Sequence, residues 1–304
     1  MARLIFISPY LKGGKDAAKL IARARKRGYT LNVGPECEFF LFHTDEFGRP
    51  TTVSHENAGY MDVGPADLGE NARRDIVLAL EDMGFEIESS HHEKAPGQHE
   101  IVFKQDESLI TADSVVTFKF AVRSVAKRFG LYATFMPKPI TECAGSGMHL
   151  NFSLYHEGRN LFDAGNGKMS ETAEYFIGGL LAHTGALCAI TNPTVNSYKR
   201  LLGGEGAPMR AIWSDTNNNA AIRFCRNFGE AKVEVRFPDP AANPYLAFAT
   251  CMAAGLDGIE NKIKPEPMNN QNAMKLPGNL NDALRQLKKD EVIKKALGEQ
   301  FTDT

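Results

Sequence analysis

Two glutamates, Glu36 and Glu38, lie two positions apart in the otherwise apolar segment 34–42. Side chains of a β-strand alternate between its two faces, so a strand over this segment would point both carboxylates to the same side. Two like charges buried side by side are costly unless a cation neutralises them. The segment therefore indicates a divalent metal site, and the apolar residues 39–42 argue against a solvated strand face.

A second carboxylate pair is predicted around a turn. The tripeptide 95–97, Ala-Pro-Gly, is a turn signal, and a hairpin at this point would bring Glu93 and Glu100 together. An exposed polar turn explains this segment equally well when it is considered alone.

Two further segments offer one candidate ligand each. His149 begins a predicted strand after the glycine-rich turn 144–147, although a lone histidine is more often structural than a ligand. Glu234 and Arg236 share one face of a predicted strand whose other face is apolar, a pattern that surface strands also have.

Taken together, these segments supply five carboxylates and one imidazole, all on strands or at their ends. Such an oxygen-rich set with one nitrogen suits Mg²⁺ or Mn²⁺ and not a structural zinc ion. These cations usually bridge nucleotide phosphates, and the sequence has neither a Walker A motif nor a convincing G-x-G-x-x-G. Any ATP would therefore be held by metals and by arginines that lie nearby in the sequence: Arg200, Arg223, Arg226 and Arg236.

The elements that must position these residues are mixed, without a regular βαβ order. The pattern predicts an α+β domain with an antiparallel sheet. Asp67 is expected to cap a helix that ends near Gly84, and residues 48–65 read as a loop. Helices are predicted over 15–28, 67–83, 111–129, 170–190 and 243–262, with short charged helices after the linker 263–279. Strands are predicted around 34–42, 85–90, 99–104, 131–136, 147–155, 209–213, 219–224 and 231–237.

Composition limits the class of protein. The chain has 304 residues with 35 Lys+Arg against 37 Asp+Glu, so its charge suggests neither nucleic acid nor an anionic membrane as a partner. The five cysteines are widely spaced, which favours reduced thiols in a cytoplasmic protein. The N-terminal apolar run is too short for a signal peptide, and no segment is predicted to span a membrane.

Several motifs, taken in order, resemble those of type I glutamine synthetase from bacteria and archaea, over about residues 16–298. They are GPECEFF at 34–40, SHHEKAPGQHE at 90–100, GSGMH at 145–149, NPTVNSYKR at 192–200 and RFPDPAANPYL at 236–246. The resemblance implies the catalytic α+β fold of that family, with a curved antiparallel sheet flanked by helices. It also implies an ATP-dependent ligase that joins ammonia, or another amine, to the γ-carboxylate of glutamate through γ-glutamyl phosphate.

The resemblance also implies a role for each matching residue, with Mg²⁺ or Mn²⁺ at two sites and ATP as a substrate. Arg200 and Arg236 would be catalytic and would bind substrate together with Gly145, since a planar guanidinium can hold a carboxylate or phosphoryl group in bidentate fashion. ATP would contact Glu88, Ser153 and Arg223. One metal would be bound by Glu38, Glu93 and Glu100, and the other by Glu36, His149 and Glu234.

The sequence also departs from the family. The match begins at the catalytic domain, so we expect residues 1–304 to form that one domain, without the N-terminal β-grasp domain and with a shortened C-terminal part. Family members assemble as stacked hexameric rings. A homo-oligomer, smaller or altered, or association with a full-length synthetase is therefore expected here.

Substitutions inside the matched region favour a second hypothesis. Gly206 stands where the family has its flap glutamate, with Glu205 one residue earlier. Ala144 and Asn218 replace an asparagine and an arginine, while Asn151 and Lys232 replace a more typical histidine and arginine. The alternative is a catalytically impaired homologue that binds nucleotide and metal in a regulatory or partner-binding role. A metal–carboxylate enzyme of unrelated chemistry on the same scaffold is a third possibility.

Overall fold

The computed structural model describes residues 28–165, 167–202, 206–227 and 229–298. The predicted helix over 15–28 lies outside these residues except for its last position, and Glu205 also lies outside them.

The described residues contain eleven strands and seven helices. The strands are β1 (Tyr29–Thr44), β2 (Pro50–Ser54), β3 (Ile87–His92), β4 (Gln98–Phe103), β5 (Asp106–Glu107), β6 (Leu131–Thr134), β7 (Met148–His156), β8 (Arg159–Asn160), β9 (Trp213–Ser214), β10 (Ile222–Asn227) and β11 (Glu230–Val235). The helices are α1 (Glu70–Asp82), α2 (Ser108–Arg128), α3 (Glu171–Thr191), α4 (Val195–Leu202), α5 (Pro244–Glu260), α6 (Leu280–Leu287) and α7 (Glu291–Leu297).

All the strands join one sheet whose main path is β3-β4-β1-β7-β11-β10-β9. Every pairing in it is antiparallel except the short parallel contact between β9 and β10. The predicted α+β class with an essentially antiparallel sheet is therefore confirmed.

The sixteen-residue strand β1 occupies the middle of this sheet and pairs with β2, β4, β5, β6 and β7. Its two faces differ, as the alternation of the sequence predicts. Cys37, Phe39 and Leu41 enter the main hydrophobic core, where α2 packs on β1 and α5 packs on α2 and α3. Glu36 and Glu38 belong to the opposite face. The helices thus bury one side of β1 and leave its carboxylates on the other side.

Three local predictions need correction. Asp67 does not cap α1, whose N-cap is Gly69; the carboxylate of Asp67 instead forms an ion pair with Arg73 at 2.7 Å. The loop predicted over 48–65 contains the edge strand β2, and the helix α4 was not predicted at all.

Helix α3 is the only helix within the described ranges that is long and apolar enough to cross a membrane. However, 72% of its most apolar window is buried inside the fold. A core helix of a soluble protein passes the same test of length and composition.

A half-buried histidine ties the last helices to this core. On α3, His183 Nδ1 lies 2.6 Å from Asp290 Oδ2, and its Nε2 lies 3.1 Å from Asp257 Oδ2. Burial lowers the pKa of His183, but the hydrogen bonds to Asp290 and Asp257 outweigh it and hold the pKa above its ordinary value. The imidazolium therefore links α3 to α5 and to the N-cap of α7.

Replacing His183 by asparagine is expected to lower the free energy of unfolding at pH 6 by about 1.5–3 kcal/mol, the range for hydrogen bonds to charged groups. A raised histidine pKa stabilises the fold fully below the unfolded-state pKa, and this stabilisation is lost as the pH rises through the folded-state pKa. The deficit of the variant should thus shrink between pH 6 and pH 9. Thermal unfolding at pH 6 and pH 9 measures this deficit in unfolding free energy. An equal deficit at the two pH values would show that a protonated His183 does not stabilise the fold through Asp257 and Asp290.

Candidate metal and substrate site

The candidate site crosses the sheet because the strand registers place its residues side by side. Glu38 of β1 lies opposite Glu100 of β4, and Glu36 of β1 lies opposite His149 of β7. On one side, His91 of β3 lies opposite Glu100. On the other side, Glu234 of β11 lies opposite Asn151, two residues along β7 from His149, and Arg223 of β10 lies opposite Glu234. Residues more than a hundred positions apart in sequence thereby become neighbours.

These side chains surround a cavity of about 300 Å³, a size at the lower end of the range for small-molecule sites. Ten of the twelve predicted site residues line it: Glu36, Glu38, Glu93, Glu100, Gly145, His149, Arg200, Arg223, Glu234 and Arg236. The remaining two, Glu88 and Ser153, do not.

The cavity lining brings together Glu36, His149 and Glu234, whose ligand atoms all lie within 4.8 Å of one another. His149 Nδ1 is 3.1 Å from Glu36 Oε2 and 3.6 Å from Glu234 Oε1. Burial, and then the charge of Arg236, hold the pKa of His149 well below its ordinary value. The neutral imidazole offers a lone pair, which is the form of histidine that binds metals.

Glu93 and Glu100 also line the cavity, and both contact a residue that the sequence did not single out, His91. The ring Nε2 of His91 lies 3.1 Å from Glu93 Oε1 and 3.2 Å from Glu100 Oε2. Burial alone would lower the pKa of His91, but hydrogen bonds to Glu100 and Glu93 raise it to about 10. His91 is therefore an imidazolium that partly balances these two carboxylates.

Glu38, predicted to complete the set with Glu93 and Glu100, is held slightly apart from them. Its Oε2 accepts hydrogen bonds from Gln98 Nε2 at 2.8 Å and from the Gly147 amide at 3.0 Å. Burial and the charge of Glu93 raise the pKa of Glu38 to about 8. Glu38 therefore lies in the cavity lining as a carboxylate whose raised pKa favours binding of a proton or of a cation.

The donor set fits divalent cations. Glu100 Oε1 is buried and has no hydrogen-bond partner among the described residues, although such an atom is costly to leave unpaired. Burial raises the pKa of Glu100 well above its ordinary value, and the neighbouring carboxylates raise it further. The hydrogen bond from His91 lowers the pKa but does not cancel these effects. A cation bound to Glu100 would satisfy the unpaired oxygen and relieve the repulsion.

Three arginines, Arg200, Arg223 and Arg236, also line the cavity. Arg200 is anchored by backbone carbonyls: Nη1 donates to Phe237 O at 2.9 Å and Pro238 O at 3.1 Å, and Nη2 donates to Arg236 O at 3.1 Å. Arg236 donates from Nε to the carbonyl of Asn218 at 3.0 Å and from Nη1 to Glu234. These fixed guanidinium groups provide positive charge next to the carboxylates, as recognition of an anionic substrate requires.

Gly145 lines the cavity in the loop before β7, where there is no room for a side chain. A Cβ atom at this position would lie 2.3 Å from the carbonyl oxygen of Pro137 and 3.2 Å from Arg200 Cγ. The first of these distances is impossible without a movement of the backbone. The loop 144–147 therefore keeps its course only with glycine at position 145.

Replacing Gly145 by alanine is expected to raise the KM for a carboxylate substrate about tenfold or more, because the shifted loop would displace Arg200, and an error of about 1 Å in positioning can cost a hundredfold in rate. Steady-state kinetics of the two proteins measure this effect. Gly278→Ala is the matched control, since the nearest atom to its Cβ is 4.0 Å away. A normal KM in the Gly145 variant would contradict the prediction.

Comparison with known proteins agrees with this geometry. A model of the glutamine synthetase catalytic domain matches residues 15–304. The chain belongs to the glutamine synthetase family. It is 52% identical over 294 residues to a glutamine synthetase of Clostridium saccharobutylicum, covering 91% of this chain and 66% of the relative. A glutamine synthetase of Thermus thermophilus is 50% identical over 296 residues, covering 92% and 66% respectively.

Solved structures in the comparison have the same fold. A complex of GmaS with ADP superimposes with a TM-score of 0.84 at 37% identity, and the match covers 93% of this chain and 69% of that chain. GmaS without ligand gives the same TM-score and identity. This chain therefore spans about two thirds of the length of the curated glutamine synthetases that it matches.

Of the five positions that differ from the usual glutamine synthetase pattern, Ala144, Gly206 and Asn218 line the cavity, whereas Asn151 and Lys232 do not. Gly206 lies at its rim with a positive φ of 83° and nothing nearer its missing Cβ than Lys94 Nζ at 3.7 Å. Asn151 donates from Nδ2 to Glu36 Oε1 at 2.9 Å and so supports a predicted metal ligand.

The two predicted ATP contacts outside the cavity differ from each other. Glu88 is exposed on β3. Ser153 is fully buried, and its hydroxyl group lies 3.3 Å from Gln105 Oε1 and from Ala231 O. Their assignment to ATP stays a prediction.

The structure adds two cavity residues that the sequence does not indicate, Tyr60 and Gln98, and it places His91 against Glu93 and Glu100. His91 was detectable, because it lies two positions before Glu93 and strand alternation would put both on one face. Tyr60, whose ring meets that of His91 edge-on at 5.8 Å, lies in segment 48–65, which the sequence predicts to be a loop.

Proposed function

We propose that this cavity catalyses the ATP-dependent joining of ammonia, or another amine, to the γ-carboxylate of glutamate through γ-glutamyl phosphate. In this proposal the chain is a catalytic domain that uses Mg²⁺ or Mn²⁺ at two sites. The observation that carries the proposal is the arrangement of two carboxylate–histidine clusters and three arginines around one cavity.

The predicted metal ligands divide between two groups in the cavity lining. Glu36, His149 and Glu234 would hold one cation, while Glu93 and Glu100 would hold the other with Glu38 beside them. When bound, the cations would neutralise the phosphate charges of ATP, which is the main electrostatic demand of phosphoryl transfer.

The other side chains would position the reactants. Arg200 and Arg236 line the cavity, where they would orient the glutamate carboxylate and balance the charge that develops during transfer. Arg223 lies 3.2 Å from Glu234 and would contact ATP. His91 would contribute its positive charge near the second cation.

The decisive experiment measures ADP release by the purified chain with ATP, glutamate, Mg²⁺ or Mn²⁺, and either ammonia or a panel of amines. Release that depends on both glutamate and an amine supports the proposal, and identification of the amide product fixes the amine. No ADP release under any of these conditions would refute it.

A second candidate is a homologue that binds nucleotide and metal without ligation. It is favoured by Gly206 and Asn218, because neither can supply the charge of the flap glutamate or the arginine that the family has at these positions. Calorimetry would then detect ATP and Mn²⁺ binding without turnover. Under this alternative, Gly206→Glu combined with Asn218→Arg should restore ADP release, and failure to restore it would count against a degraded synthetase.

Two broader expectations accompany the proposal. We place the protein in the cytoplasm, since its five cysteines are free thiols. We also expect either a homo-oligomer or association with a longer synthetase, which light scattering after size-exclusion chromatography and co-purification distinguish.

A further inference from the structure

A buried carboxylate outside the helices and strands, Glu56, contacts the β3–β4 hairpin through His92 and the Gly97 amide. Glu56 follows β2, and its side chain is 1% exposed. Its Oε1 lies 2.8 Å from His92 Nε2 and also accepts a hydrogen bond from the Gly97 amide, while its Oε2 accepts one from the Ala58 amide. Glu56 is therefore fixed by one imidazole and two backbone amides.

The partners of Glu56 are the two parts of the hairpin that determine its shape. His92 is the last residue of β3, and its Nδ1 lies 2.6 Å from the carbonyl oxygen of Glu93. Both ring nitrogens of His92 thus lie within hydrogen-bond distance of acceptors, one on Glu93 and one on Glu56. Gly97 closes the turn with a positive φ of 71°, and its carbonyl accepts from the Leu41 amide of β1 at 2.8 Å.

The hairpin has two faces with different tasks. Glu100 lines the cavity, and His91 lies opposite it on the same face of the hairpin. His92 and His99 are paired across the strands on the other face, with their rings 5.0 Å apart in an edge-on contact. The position of the carboxylates on the front of the hairpin therefore depends on what holds the histidines at its back.

This rear cluster could itself be considered a cation site, because ligand atoms of Asp67, His92 and His99 lie within 4.8 Å of one another. Arg73 argues against that interpretation. Its Nη1 lies 2.7 Å from Asp67 Oδ2 and donates to His99 Nδ1 at 3.0 Å. A guanidinium cannot lose its proton, so the cluster already contains its positive charge, and its role is support.

We propose that Glu56 is a positioning residue for the metal ligands Glu93 and Glu100: by holding His92 and the Gly97 amide, it fixes the hairpin at the separation that cation binding requires. This inference rests on the proposed function, since it takes those two carboxylates to be ligands. Residues that orient metal ligands from outside are often worth 10–100-fold in metal affinity.

The test is a Mn²⁺ titration of the full chain by electron paramagnetic resonance, with Glu56→Gln against the wild type. The expected result is that one class of Mn²⁺ sites binds about tenfold or more weakly, whereas the class formed by Glu36, His149 and Glu234 is unchanged. His183→Asn is the matched control, because it also destabilises the fold but removes contacts to Asp257 and Asp290 instead of contacts to the hairpin. Its two classes of sites should both keep wild-type affinity.

A second pair of variants applies if Glu56→Gln fails to fold. His92→Leu removes the donor to Glu56, whereas His92→Gln retains an N–H that can reach it, so the glutamine variant should recover most of the affinity that the leucine variant loses. Equal Mn²⁺ affinity in these two variants, or wild-type affinity in Glu56→Gln, would overturn the positioning role, as would the same loss in His183→Asn. A wild-type chain that binds no Mn²⁺ refutes the proposed function itself, and this inference falls with it.

Discussion

Replacing Glu100 by glutamine is expected to weaken Mn²⁺ binding at one class of sites about 100-fold or more. The reason is that Glu100 supplies the buried, unpaired Oε1 of the second cluster, and an amide at this position keeps the shape of the side chain but loses its charge. Substitutions that merely disturb the orientation of metal ligands already cost about 10–100-fold. Isothermal titration of the purified proteins with Mn²⁺ measures the change.

The control for this prediction is Glu86→Gln. Glu86 is exposed next to the start of β3 and forms a surface ion pair with Lys104 at 2.6 Å, outside the cavity. Its loss should leave Mn²⁺ binding unchanged, because an exposed ion pair contributes little. If Glu100→Gln bound Mn²⁺ as tightly as the Glu86 variant, Glu100 would not be a ligand.

Replacing Arg236 by lysine is expected to lower kcat/KM for glutamate-dependent ADP release by about 10²–10³, the usual cost of losing one positioned donor at a transition state. Lysine keeps the positive charge but cannot donate at once to the Asn218 carbonyl and to Glu234, as the guanidinium does. The charge would therefore no longer be fixed against the cavity wall. Coupled-enzyme measurement of ADP gives the rate.

Arg226→Lys provides the comparison for Arg236. Arg226 lies on β10, forms an ion pair with Asp163 and does not line the cavity. The same chemical change should there have almost no effect on kcat/KM. Equal rates for the two lysine variants would show that Arg236 acts only as a point charge.

The predictable part of this site is local. The two-residue spacing of Glu36 and Glu38 gives their common face directly, because strand alternation depends only on the chain itself. Their partners lie at long range: Glu38 faces Glu100, and Glu36 faces His149, through registers that no local pattern defines. Only the resemblance to a family brought these residues together before the structure did.

The failures of prediction also have physical causes. Asp67 has the type and place of a helix cap, but the nearby Arg73 offers it a buried ion pair instead, and Gly69 takes the cap. Helix α4 was missed because it is only eight residues long and follows Pro193, although it buries Tyr198 and Leu201. The hydrophobic periodicity of the sequence shows neither which partner Asp67 will bind nor a helix as short as α4.

Strand β1 has a consequence for how this protein can change over time. The strand that supplies Glu36 and Glu38 to the site also supplies Cys37, Phe39 and Leu41 to the main core, so site residues and core residues alternate along it. An insertion or deletion of one residue would exchange its faces and would damage stability and chemistry together. Evolutionary change in this strand is therefore limited to substitutions that keep the alternation of its faces. A substitution can remove a metal ligand from β1 and leave the fold intact, but no insertion or deletion can shift that ligand to a neighbouring position.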